Sequence, residues 1–182
     1  YQYEPVDITQ GTPTLALIFQ GRDIENLAFK EAMNTLSDFL QRFPEECFPL
    51  ACELLKIYIE KEDKNYLQIG NIIDDYSYIW YSEKNISHRE HEYDRKVRLG
   101  LEIEAGLRYF VANDHEKTKE IYKVLKKYKY AIFYLILLKS LIESKNLKEL
   151  KFDLINDSDI WHISGLRKFY LQNLIKHTME NI

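Results

Sequence analysis

The chain has 182 residues, 46% of them apolar and 30% charged, with a formal net charge of −4. A length and mixture of this kind bury a proper core, which excludes a chain disordered throughout. The acidic balance has the wrong sign for a general nucleic-acid coat or a polybasic membrane binder, and two cysteines, Cys47 and Cys52, are too few for a disulfide scaffold or an all-cysteine zinc site.

Residues 1–13 hold Pro5, Gly11 and Pro13 and show no helical period, so they read as an extended arm ahead of a single helical domain over 14–182. The run Thr14–Gln20 (TLALIFQ) is short and apolar between Pro13 and Gly21, and periodicity leaves it open between a strand and a helix turn. Asp23 is placed as an N-cap. After it, Ile24, Leu27, Ala28, Ala32, Leu36, Phe39, Leu40 and Phe43 recur at threes and fours, the pattern of one amphipathic helix with a single buried stripe.

Pro44 opens a second helix where its missing N–H costs nothing, and Glu45 and Glu46 suit the positive end of the dipole. Its expected core stripe is Cys47, Leu50, Ala51, Leu54, Leu55 and Tyr58. Pro49 implies a kink there or a later start. A third helix is expected with Ile69, Ile72, Ile73, Tyr76, Ile79 and Trp80 on one face. Ser87 and Glu90 match a capping box for a fourth helix, which runs through Leu99, Ile103, Leu107 and Phe110 to about Ala112.

Asn113 with Glu116 three residues on reads as the cap of a fifth helix through Ile121, Val124 and Leu125. Residues 130–142 are apolar on almost every side, which assigns them to the central, most buried helix. Asn146 and Glu149 should cap a short element ending near Leu154. Asp157 or Ser158 should cap the last helix, with the stripe Ile163, Leu166, Phe169, Tyr170, Leu174 and Ile175. The expected fold is therefore all-α: seven or eight helices in a bundle or an irregular hairpin stack, with at most one short N-terminal strand. The unequal helix pairs do not make a regular repeat array. No run reaches the roughly 20 apolar residues that span a bilayer. No secretory leader is visible and the first residue is Tyr1, which reads as an excised domain or a mature chain in an intracellular, cytoplasmic setting.

Four groups of residues could carry chemistry. Arg108–His115 (RYFVANDH) has an Arg and a His at short spacing between two helices. It resembles the signature of the HEPN ribonucleases, which are helical and metal-independent. The resemblance covers eight residues and departs at Tyr109, where that family tends to place a polar residue. It implies that Arg108 and His115 would handle the 2′-hydroxyl and the scissile phosphate, in a homodimer. His88, His91 and Glu92 share one helical face and could supply three metal ligands, but neither HExxH nor paired ExxH spacing is present, so no metal and no cofactor is expected.

Lys123, Lys126, Lys127 and Lys129 interleave with Tyr122, Tyr128 and Tyr130, a combination that could grip single-stranded RNA by phosphate contact and stacking. The same lysines also suit the negative end of a helix. Finally, Tyr78, Trp80 and Tyr81 are aromatic side chains of the kind that anchor protein interfaces. The expected function is non-catalytic protein binding, as an adaptor, assembly subunit or inhibitor, with Tyr78, Trp80 and Tyr81 as anchors. The acidic charge favours a partner with a basic surface. The rival expectations are the ribonuclease and an RNA-binding helical module.

Overall fold

The computed structural model describes residues 32, 33, 35–62, 67–69, 72–74 and 94–180. Residues 32, 33 and 35–42 are helical and form α1. α2 is Pro44–Glu62, α3 Asp94–Asn113, α4 His115–Lys127, α5 Ala131–Leu141, α6 Lys148–Ile155 and α7 Ser158–His162. α8 is one continuous run: Ser164–Leu166, a π-helical turn over Arg167–Leu171, and Gln172–Met179. The described part of the chain is an all-α helical bundle. Two of its described segments, β1 (Leu67–Ile69) and β2 (Ile72–Asp74), pair as an antiparallel hairpin in which Ile69 faces Ile72.

The hairpin corrects the helix expected from Ile69 onward. Three isoleucines, stiff at χ1 and suited to pleated backbone, lie on either side of Gly70-Asn71. A Gly-Asn pair between two apolar runs is the chemistry of a two-residue hairpin connection, and it overrides the spacing of 69, 72, 73 and 76. Residues 75–80, the arm over 1–13, the ambiguous run 14–20, the Asp23 cap and the Ser87–Glu90 box lie outside the described residues.

α5 is the axis of the bundle. Every residue from Ala131 to Leu141 except Lys139 is buried, as its apolar sequence requires. α3, α4, α6 and α8 pack around it, and α2 packs on α3 and α4. The inward stripe of α3 is Leu99, Ile103, Leu107 and Phe110, as the spacing predicts. Gly106 lies where α1, α2 and α3 meet: a Cβ there would sit 3.0 Å from Cζ of Phe48 and 3.2 Å from Cβ of Leu40.

Several local assignments shift. The cap of α4 is Asp114, not Asn113: its carboxylate accepts the N–H of Lys117 at 2.9 Å. The Asn113 amide instead donates to the carbonyl of Tyr109 at 2.7 Å, closing α3. α6 starts after Leu147, which takes the left-handed conformation (φ 60) and offers no side-chain cap, so Asn146 does not cap it. Asp157 does cap the next helix, accepting from Asp159 N at 3.2 Å, but that helix ends at His162.

In α8 the expected stripe breaks at Phe169, which is exposed, and Leu171 is buried in its place. Leu166 and Leu171 are five apart, a spacing that an α-helix would put on different sides. The π turn, with the N–H of Gln172 bonded to the carbonyl of Arg167, brings both inward and leaves Leu174 and Thr178 in line below them.

Candidate protein-binding face

α1 and α2 are two arms of one bent helix. The N–H of Phe43 donates to Phe39 O at 2.8 Å and that of Cys47 to Phe43 O at 3.0 Å. Pro44 interrupts the ladder because it has no N–H to give. α2 then begins at once, with Pro49 in its second turn.

The apolar residues of α2 do not form the single stripe that the spacing suggests. Phe48, Ala51, Cys52, Leu55 and Ile59 are buried against the bundle. Leu50 is exposed, and Cys47, Leu54 and Tyr58 are half-buried. The helix therefore carries two apolar stripes, one turned inward and one outward. The outward one continues into α1. Phe39 is 48% exposed, Phe43 52%, Leu50 46% and Ile57 37%. With Cys47 and Leu54 between them, half-buried and packed against the core at the margin of the row, these positions step by four, four, three, four and three along the chain. That spacing keeps one row on one face of a helix. At 1.5 Å per residue the row from Phe39 to Ile57 is about 27 Å long.

One edge of this row is acidic. Glu46, Glu53 and Glu60 are all exposed and spaced seven apart. Glu53 also pairs within its helix with Lys56 at 3.1 Å, and Glu60 accepts the Tyr130 hydroxyl. The opposite edge is Ala51 and Tyr58, turned toward the bundle. Burial, and then the neighbouring Glu46, raise the Cys47 thiol above its ordinary value. At neutral pH it belongs to the row as a small apolar group and not as a thiolate.

The residues singled out by sequence fall in different places. Tyr78, Trp80 and Tyr81, with His88, His91 and Glu92, lie outside the described residues. Arg108 is held by two carboxylates, Glu104 at 2.7 Å and Glu143 at 3.6 Å. Glu104 is buried and also pairs with Lys139 at 3.1 Å, so this cluster ties α3 to α5. His115 is exposed at the first position of α4, beyond the break that Asp114 caps. The guanidinium that the ribonuclease resemblance would aim at a phosphate already has its charge matched within the fold.

The four lysines at the end of α4 and just beyond it divide. Lys126 pairs with Asp153 and, at 3.4 Å, with Asp157. Lys129 donates to the hydroxyl of the buried Tyr134 at 2.9 Å. Lys123 and Lys127 are exposed. Tyr122 and Tyr130 are buried, and Tyr128 stacks on Phe133 with ring centroids 4.9 Å apart. Burial, followed by the charges of Cys52 and Glu53, pushes the Tyr128 phenol up to about 12. The three rings that would stack on bases are thus packed into or against the core.

Asp153 sits at the centre of a latch between α4 and α6, taking hydrogen bonds from Tyr122 and Lys126. Neither partner is close to it in sequence, so no local pattern could reveal the latch. The outward row on α1 and α2 does have a sequence signal: two interleaved apolar periods in one helix, where a single buried face needs only one. Among the described residues no three metal-ligating side chains converge, and no helix is long and apolar enough to cross a membrane. No family model matches the chain, and no curated protein and no solved structure matches it.

Proposed function

We propose that the chain is a non-catalytic protein-binding module whose contact surface is the outward row of α1 and α2. One observation carries this reading: Phe39, Phe43, Leu50 and Ile57 remain exposed along the outer side of α1 and α2, whose inner side is used by the core. Scattered apolar residues on a surface need no explanation, but a contiguous row is the mark of an interaction site. Covering these apolar side chains with a partner removes their surface from water and favours association. The acidic balance of the chain favours a partner with a basic surface. Tyr78, Trp80 and Tyr81 are proposed as further anchors. Both cysteines are free thiols, which fits a reducing compartment such as the cytoplasm.

The test is affinity capture by the full chain from its native lysate, with protein and RNA both identified. The expected result is one stoichiometric protein, depleted when Leu50 and Ile57 are changed to Asp. Captured RNA with no protein would overturn the proposal and direct attention to cleavage by the wild type against His115→Ala. A protein partner lost only on Tyr78→Ala with Trp80→Ala would keep the module and move its contact surface.

A further inference from the structure

Resting on that reading, we infer that the outward row of α2 docks an amphipathic helix of another protein, one with lysine or arginine along a single edge. The geometry points to a helix because of its register. Set Cys47, Leu50, Leu54 and Ile57 as the alternating three- and four-spaced seam of a heptad, Leu50 and Ile57 exposed on it and Cys47 and Leu54 half-buried where it meets the core. Glu46, Glu53 and Glu60 then all fall at the position just before the seam, one per heptad, and all are exposed. In a pair of helices that position faces the partner's flank, and its charge decides which partner is accepted. The other flank, Ala51 and Tyr58, carries no charge and is turned toward the chain's own core. Recognition by charge is therefore one-sided: a cationic edge on the incoming helix must lie against the glutamates.

The same register argues against a second copy of this chain. Two copies set antiparallel would bring Glu46, Glu53 and Glu60 against the same three residues of the other copy, like charge on like charge. Set parallel, the glutamates would meet Ala51 and Tyr58, which offer no cation. A foreign helix with Lys or Arg at the facing positions answers the row without either fault, and its apolar seam covers Leu50 and Ile57. Glu53, which lies by both Lys56 and the Tyr128 hydroxyl, would exchange Lys56 for the incoming cation, and Glu60 keeps its bond from Tyr130 on one oxygen while the carboxylate stays exposed.

The experiment uses the full chain and two fluorescent synthetic peptides of about three heptads, a length that spans the row. Both carry Leu and Ile on the seam. One has Lys on the flank facing the glutamates and the other has Glu there. Binding is read by anisotropy at low and at high salt. The Lys-edged peptide is expected to bind about tenfold more tightly, the sum of two or three exposed cross-helix ion pairs. The preference should shrink at high salt, and Leu50→Asp should weaken both peptides. Glu46→Lys with Glu53→Lys, two exposed positions, should reverse the preference while the circular dichroism of the chain stays that of the wild type.

Equal binding of the two peptides would overturn the one-sided charge recognition and leave the apolar row as a docking surface. Binding of neither peptide, with the chain sedimenting at twice its 21.8 kDa, would overturn the inference and assign the row to a second copy. Binding of neither by a monomeric chain would overturn helix docking altogether. The module reading then stands or falls separately on the lysate capture, because a protein that survives Leu50→Asp there marks another surface.

Discussion

Cys47 and Cys52 are five residues apart on one helix and should differ sharply in reactivity. Cys52 is fully buried, and burial, followed by the charge of Glu53, pushes its thiol far above the ordinary range. Cys47 is half-buried on the outward row. Iodoacetamide on the native chain should label Cys47 and spare Cys52 until denaturant is added, as read by mass spectrometry.

Asp153 makes a second prediction at the scale of the single residue. Burial pushes its carboxyl up, but hydrogen bonds from Lys126 and Tyr122 outweigh this and hold it below its ordinary value. A carboxyl depressed by folding adds stability that is complete above its unfolded pKa, near 4, and is lost as pH falls through the folded value. Urea unfolding followed down through about pH 4 should show a loss that Asp153→Asn lacks. Near neutral pH that variant should be less stable by about 1 kcal/mol, a modest figure because Asp153 is half exposed to solvent.

At the scale of the element, the two stripes of α2 should respond oppositely to substitution. Leu55→Ala opens a cavity in the core and should cost about 2–5 kcal/mol in urea unfolding. Leu50→Asp touches only the outward row and should change stability by about 0.5 kcal/mol or less. If Leu50→Asp were as damaging as Leu55→Ala, the row would be packed and not free. Gly106 tests the junction of α1, α2 and α3. Alanine improves helix propensity by about 1 kcal/mol, but its methyl group would press on the buried ring of Phe48 and on Cβ of Leu40. Overpacking should win, and Gly106→Ala should lower stability by about 1–2 kcal/mol.

At the scale of the molecule, what is legible in the sequence follows from how local its cause is. The run Ala131–Leu138 is apolar on all sides, so its place at the axis of the bundle needs no tertiary information. The stripe of α3 has one period and one face, and it reads correctly. α2 is different: Leu50 and Leu54 keep the helical period as well as Leu55 does. Only the packing of Phe48, Cys52 and Ile59 decides which side is the core. Gly70-Asn71 marks the hairpin in the sequence, but the isoleucines beside it keep a spacing that serves a helix and a strand equally well. The latch of Tyr122, Lys126 and Asp153 joins residues about thirty positions apart, and no pattern along the chain foretells it. The candidate face is written in the sequence only as a surplus, more apolar positions in one helix than one core can absorb, and a single expected core stripe passes over it. The acidic edge becomes meaningful once the row beside it is known to face outward.

The π turn of α8 bears on how this chain tolerates a change in its length. Arg167–Leu171 holds one residue more than an α-helical turn would need to carry the chain from Leu166 to Leu171 with both leucines inward. Removing the exposed Lys168 would bring the two leucines four apart, a spacing that an ordinary α-helix keeps on one face. A single-residue deletion inside a packed helix normally rotates everything beyond it out of register. Here it should leave Leu174 and Thr178 buried and convert the turn to regular helix. The same deletion at Leu135 in α5 has no slack to absorb it and should abolish the fold. Comparing the two shortened chains by circular dichroism would show whether α8 carries a spare residue.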